Sequence, residues 1–149
     1  MTAQPPPQGP APDDDAAPVS YEHLSERVTV VRIGADPTDD GFDVYTARPV
    51  RAVVADLLGQ GRNLLVFDLT GLAIVDSTGL VTLVRVSRLL RAHGGELVVV
   101  VTDKRTLSIF RIDGRTRGLT LCAGVERAVE LLERRGAERS ARIVTPPAG

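Results

Sequence analysis

The sequence predicts an α/β layer fold: a single domain with a mixed sheet of four to five strands and about four helices, flanked by disordered tails. Three observations predict it. The runs Leu64–Leu69 and Glu96–Val101 are almost unbroken in apolar character, as in strands covered on both faces. Between such runs lie stretches whose apolar residues recur at helical spacing, so strands are joined by crossovers and pair in parallel. Both chain ends carry too little apolar surface to offset the entropy of ordering them.

The elements follow in chain order. Residues 1–18 hold Pro5-Pro6-Pro7 and Asp13-Asp14-Asp15, a stretch that cannot join a sheet and repels itself, and are expected to be a disordered tail. The domain is expected over residues 19–134. Arg27–Ile33 is β-branched and reads as the first strand. Gly34–Gly41, with Asp36-Pro37 and Asp39-Asp40, reads as a loop. Phe42–Tyr45 reads as a short second strand, and its direct connection to the first suggests an antiparallel hairpin. From Ala47 to Leu58, Val50, Val53, Val54, Leu57 and Leu58 fall on one helical face, with Pro49 in the first turn, where its missing N–H costs nothing. Gly59 and Gly61 end that helix.

Leu64–Leu69 is a buried strand. Thr78–Ala92 is a second helix that ends in Arg88, Arg91 and then Gly94-Gly95, both favourable at a helix C-terminus. Glu96–Val101 is the next strand, Thr106–Ile112 a short helix stopped at Gly114, and Leu119–Leu121 a short strand. Val125–Arg134 is the last helix, and residues 135–149 are expected to be a second disordered tail.

Bulk properties exclude several function classes. The chain has 149 residues, of which 43% are hydrophobic, enough for one domain with a real core. A net charge of −1 argues against a general nucleic-acid binder, which needs a basic surplus. Cys122 is the only cysteine, so there is no disulfide framework and no cysteine zinc site; within Leu119–Ala123 it reads as a small buried hydrophobe. No apolar run reaches the roughly 18 residues of a membrane span, and the N-terminus has no secretory pattern. The chain is expected to be cytoplasmic, with neither nucleic acid nor membrane as partner, and to need no cofactor or metal of its own.

The chemistry is expected at Asp76-Ser77-Thr78-Gly79, where a strand hands over to the second helix, because sites in such folds gather where strands end and helices begin. Asp76 or Ser77 suits a helix cap, since either side chain accepts from the free N–H groups of the first turn. Ser77 also suits a phosphoacceptor, because an anion is tolerated at the positive end of a helix. Nucleophilic catalysis fits poorly. His23 lies near the N-terminal tail and His93 at the far end of the helix that Ser77 begins, so neither is placed as a base. The residues around Ser77 do not form a Gly-x-Ser-x-Gly elbow, and no Gly-Lys-Ser/Thr phosphate loop occurs. Asp68 reads as a turn carboxylate rather than a metal ligand with Asp76. Arg85, Arg88 and Arg91 read as a solvated basic ridge. Leu80 or Val81 is the apolar residue of the second helix expected to stay exposed for a partner.

The stretch Leu65–Leu80, with Asp76-Ser77-Thr78-Gly79-Leu80 at its end, resembles the central strand, loop and Asp-Ser-Ser/Thr-Gly-Leu signature of the STAS domain, the anti-sigma-factor antagonist family of bacteria. Supporting matches are Asp43–Ala47, Gly94–Leu97 and Ile112-Asp113-Gly114, and the similarity runs from about Tyr21 to Leu132. The chain departs from the family pattern in a longer Gly34–Asp40 loop, in Asp40-Gly41-Phe42-Asp43, where an acidic residue usually stands two before Asp43, and in Arg115–Gly118 after Gly114. The resemblance implies a STAS-like fold and a switch without catalysis of its own. Ser77, and less readily Thr78, would be the phosphoacceptor. Asp43, Asp76, Thr78, Gly79 and Leu80 would contact a partner. The partners implied are an anti-sigma factor with serine kinase activity, which the unphosphorylated form binds so that a sigma factor is released, and a metal-dependent serine phosphatase that restores that form. The alternative is a STAS-like interaction or small-ligand sensor module without a phosphorylation cycle.

Overall fold

The computed structural model describes residues 19–34, 41–42, 44–72, 74–112 and 114–144. In chain order these form β1 (Val19–His23), β2 (Val28–Ile33), β3 (Gly41–Phe42), α1 (Val44–Gly59), β4 (Leu64–Asp68), β5 (Ile74–Val75), α2 (Ser77–Ala92), β6 (Glu96–Val100), α3 (Lys104–Ile112), a 3-10 turn (Gly114–Gly118), β7 (Thr120–Cys122) and α4 (Val125–Val144). The main sheet has five strands in the order β1-β2-β4-β6-β7. β1 is antiparallel to β2, and every other pair is parallel. The mixed α/β sheet with four helices is the architecture expected from the sequence.

Strand periodicity splits the core into two layers. In β4, Leu65 and Phe67 point to one face, and Leu64 and Val66 to the other. The first face receives Val50, Val53, Val54 and Leu57 of α1, Leu80, Leu83, Val86 and Leu90 of α2, and Phe110 of α3. The second receives Ala128 and Leu132 of α4. Both faces are therefore covered, which is why β4 and β6 read as continuous apolar runs rather than alternating ones.

Four expectations are corrected. The strand that pairs antiparallel with β2 is β1, which precedes it; Val19 and Tyr21 are its only buried residues, too few to stand out in the sequence. The strand expected over Phe42–Tyr45 shrinks to β3, which pairs in parallel with β5 in a separate two-stranded sheet, while Val44 and Tyr45 belong to α1. Pro49 consequently sits at the sixth position of α1, where it forgoes one helical hydrogen bond. Lastly, α4 does not stop at Arg134 but runs to Val144, so residues 135–144 are helical where a tail was expected.

The reason for the longer α4 is Glu96. This residue opens β6 in mid-sheet, opposite Leu64, with its side chain only 6% exposed. A carboxylate in that position needs compensating cations. Arg135 and Arg139, one helical turn apart on α4, supply them: Arg135 is ion-paired to Oε2, and Arg139 donates to Oε1 at 2.6 Å. α2 ends in a Schellman motif. Gly94 takes φ +76°, its N–H bonds Arg91 O at 3.0 Å, and the Gly95 N–H bonds Leu90 O at 2.7 Å. Gly95 must lack a side chain, because a Cβ there would fall 1.9 Å from the Asn63 carbonyl oxygen.

Arg62 ties the β1–β2 hairpin to the start of β4. Its Nε donates to Thr29 Oγ1 at 2.9 Å, and its Nη2 donates to Ser25 O at 2.8 Å and Val28 O at 3.2 Å. The buried Thr29 hydroxyl also shares a hydrogen bond with His23 Nδ1 at 2.8 Å. Burial, and then the positive charge of Arg62, hold the His23 imidazole below its ordinary pKa.

Two outcomes follow from these contacts. A chain truncated after Arg134 loses both cations of Glu96, and its urea midpoint should drop by the equivalent of about 1–3 kcal/mol; an unchanged midpoint would show that residues 135–144 do not belong to the domain. The second concerns pH. His23 is neutral in both states above about pH 6.5; below it, the unfolded chain takes up the proton first, so stability falls with pH. Urea midpoints between about pH 8 and pH 5.5 should decline less in His23→Gln than in the wild type, and an equal decline would contradict this assignment.

Candidate functional site

The first turn of α2 is fixed by one side chain. Asp76 has the extended backbone of an N-cap residue (φ −88°, ψ −177°), and its Oδ1 accepts from the Gly79 N–H at 2.9 Å. Its carbonyl accepts from the Leu80 N–H at 3.0 Å and so starts the helical ladder. Of the two residues suited to the cap, the structure uses Asp76. Ser77 becomes the first residue of the helix, and it is exposed. Among the described residues its hydroxyl has no hydrogen-bond partner. Thr78 is half-buried, and its carbonyl accepts from Thr82 Oγ1 at 2.8 Å.

The remaining expected site residues divide. Gly79 is buried and serves through its backbone N–H. Leu80 is 3% exposed and lies in the main core, so the expectation that it contacts a partner is corrected: it begins the apolar stripe that continues through Leu83 and Val86. The half-buried apolar residue of this turn is Val81. Asp43 and Asp113 lie outside the described residues. The strand pair β3–β5 sets Phe42 opposite Val75, one residue before the Asp76 cap.

A cleft of about 280 Å³ opens beside the hydroxyl. Ser77, Thr78, Val81 and Arg85 line it from α2, with Arg51 from α1 and Arg115 from the 3-10 turn. Three elements far apart in the chain supply the arginines, so their convergence is not visible in the sequence. One signal for Arg85 was legible. Ser77, Val81 and Arg85 are spaced four residues apart and share a helix face. Arg85, Arg88 and Arg91 are all exposed, as expected of a solvated basic ridge, but they face different neighbours. Arg85 faces the cleft, Arg91 donates to Gly118 O, and Arg88 lines a second, smaller hollow beside Arg91.

The two histidines lie away from Ser77. His93 caps the opposite end of α2, with Nδ1 2.9 Å from Leu89 O, and sixteen residues of helix separate it from Ser77 by roughly 24 Å. His23 is on β1 at the edge of the main sheet, occupied with Thr29. Asp68 accepts from the Thr70 N–H at 3.0 Å and from its hydroxyl at 2.7 Å, a turn carboxylate as expected. Cys122 is half-buried against the α4 layer, and burial pushes its thiol pKa up, away from the thiolate that reacts. Among the described residues no group of three or more His, Cys, Asp or Glu is arranged to hold a metal ion, and no helix is long and apolar enough to cross a membrane.

Comparison with known proteins places this arrangement in a family. The STAS domain family model matches residues 25–128, from the β1–β2 turn into α4. No curated protein matches by sequence. Among solved structures, the fold is similar to the anti-sigma factor antagonist SpoIIAA in its unphosphorylated form, with a TM-score of 0.58 and 18% identity over 79% of this chain and 97% of that one. The phosphorylated form of SpoIIAA, a Bacillus cell fate determinant, matches with a TM-score of 0.57 and 18% identity over 76% of this chain and 97% of the other. An anti-sigma factor antagonist from Mycobacterium paratuberculosis matches with a TM-score of 0.66 and 20% identity over 81% and 97%. With its mixed sheet, its strand–loop–helix signature and a family match over most of its length, the chain belongs to the STAS domain family.

Proposed function

We propose that this protein is an anti-sigma-factor antagonist switched by phosphorylation of Ser77, with no catalysis of its own. One observation carries the reading: Asp76 takes the cap, which leaves the Ser77 hydroxyl exposed on the first residue of α2. A phosphoryl group can then be added without removing a contact that the fold needs. Likeness to the SpoIIAA structures, whose two forms differ in phosphorylation, supports the same reading.

In this reading the unphosphorylated chain binds an anti-sigma factor that has serine kinase activity, and a sigma factor is released. The docking surface comprises Ser77, Thr78, the backbone at Gly79 and the exposed Asp76, with Val81 in place of Leu80 as the apolar contact, and Asp43, which the family resemblance adds. Phosphorylation transfers the γ-phosphoryl of the kinase's ATP. The Ser77 Oγ–P bond forms, the bond from that phosphorus to the β–γ bridging oxygen breaks, ADP leaves, and the hydroxyl proton passes to a base of the kinase. ATP and its metal belong to the kinase, and the metal of the reverse reaction belongs to a metal-dependent serine phosphatase.

The switch is electrostatic. Phosphate adds about −1.5 to −2 charges and three acceptor oxygens to the docking surface, next to the Asp76 carboxylate. A coupling of about 3 kcal/mol between phosphate and partner is enough to weaken the complex more than a hundredfold.

Incubation with ATP and the anti-sigma kinases of the native cell, followed by mass spectrometry, should place one phosphate on Ser77. Ser77→Ala should bind the anti-sigma factor whether or not ATP is present, and Ser77→Asp should bind at least about tenfold more weakly than the wild type. Wild-type binding by both variants would defeat the proposal.

A further inference from the structure

We infer that a phosphoryl group on Ser77 is held within the chain by a guanidinium cradle, with Arg51 and Arg85 as its principal members and Arg115 at its edge. The inference rests on the reading of Ser77 as the acceptor and adds how the modified state is stabilised and read.

The argument is one of placement and chemistry. Arg51, Arg85 and Arg115 come from α1, α2 and the 3-10 turn, and all three line the cleft that Ser77 lines. Among the described residues no carboxylate lines that cleft. The nearest one along the chain, Asp76, is occupied with the Gly79 N–H. Side chains on a helix lean toward its N-terminus, so Arg85, two turns beyond Ser77 on the same face, extends back toward the hydroxyl. Arg51 and Arg85 are exposed, and among the described residues neither has an ion-pair partner. Arg115 has a further interaction within the fold, and the inference places the weight on the other two. Guanidinium is the side chain best matched to phosphate, because its planar fork can donate two parallel hydrogen bonds to two oxygens.

This placement gives the switch a second component. Before modification, the cleft is a positively charged patch next to a free hydroxyl. After modification, the phosphate draws the guanidinium groups onto itself, so the surface loses both its open hydroxyl and its available positive charge. A partner that docks through either is released. Among the described residues, the groups bearing on the phosphate are then Arg51 from α1, Arg85 from α2, Arg115 from the 3-10 turn and, in opposition, the Asp76 carboxylate.

The test uses full-length protein with phosphoserine installed at position 77 during translation, so that no kinase is needed. Phosphorus NMR follows the second phosphate ionisation across pH. In a free phosphoserine peptide this ionisation lies near pH 6. In the intact protein it should lie at least about one pH unit lower. Arg51→Gln with Arg85→Gln should return it most of the way, whereas Arg32→Gln, on β2 and paired with Glu22, should leave it unmoved. Arg51 and Arg85 are exposed, and an unchanged urea midpoint would show that the double variant is folded. The cradle is overturned if the double variant titrates like the wild type, or if the wild type titrates like the peptide. Failure of the functional reading is separable: it would appear as phosphoserine protein that still binds the anti-sigma factor, whatever the titration shows.

Discussion

The site depends on a single hydrogen bond, from the Gly79 N–H to the Asp76 carboxylate. A helix start leaves several N–H groups without partners, and a side-chain acceptor at the cap is worth about 0.5–2 kcal/mol. Two adjacent residues could have provided it here. Because Asp76 does, the next residue is relieved of a structural duty and its hydroxyl is left to solvent. Had Ser77 been the cap, its oxygen would have been turned toward the N–H groups of the first turn, and modification would have acted on the helix start as well as on docking.

Rigidity behind the turn matters as much as the turn itself. Leu80, Leu83, Val86 and Leu90 anchor α2 in the core over four successive turns. The helix cannot easily tilt or slide when charge is added at its amino end, so the added charge acts at the surface. The opposite sheet face is closed by α4, and Glu96, held by Arg135 and Arg139, fixes how far that helix extends. The two faces thus have separate roles: one supports the exposed hydroxyl, and the other completes the domain.

Much of this was legible in the sequence because each signal was local. The β-branched run of β2, the unbroken apolar strands β4 and β6, and the glycine stop after α2 each fall within a few residues. The Asp76–Leu80 signature was also local, and it led to the turn where the cap and the exposed hydroxyl now lie. What escaped the reading depends on partners distant in sequence. β1 has only Val19 and Tyr21 to mark it, and it is stabilised by pairing with β2. The end of α4 is set by a glutamate about forty residues earlier. Leu80 looked available to a partner because its helix is rich in apolar residues, and only the packed core shows which of them is spent inside. The arginines around the cleft come from three elements, and only folding brings them together.

The central claim is that position 77 stands open to solvent while position 80, less than one turn further, is sealed. Replacing each in turn by cysteine, in a Cys122→Ser background, and timing the reaction of the folded protein with a small disulfide reagent compares them directly. The account predicts that the thiol of Ser77→Cys reacts at nearly the rate of a free cysteine and that the thiol of Leu80→Cys is strongly protected. A thiol at position 77 as protected as the one at position 80 would contradict it.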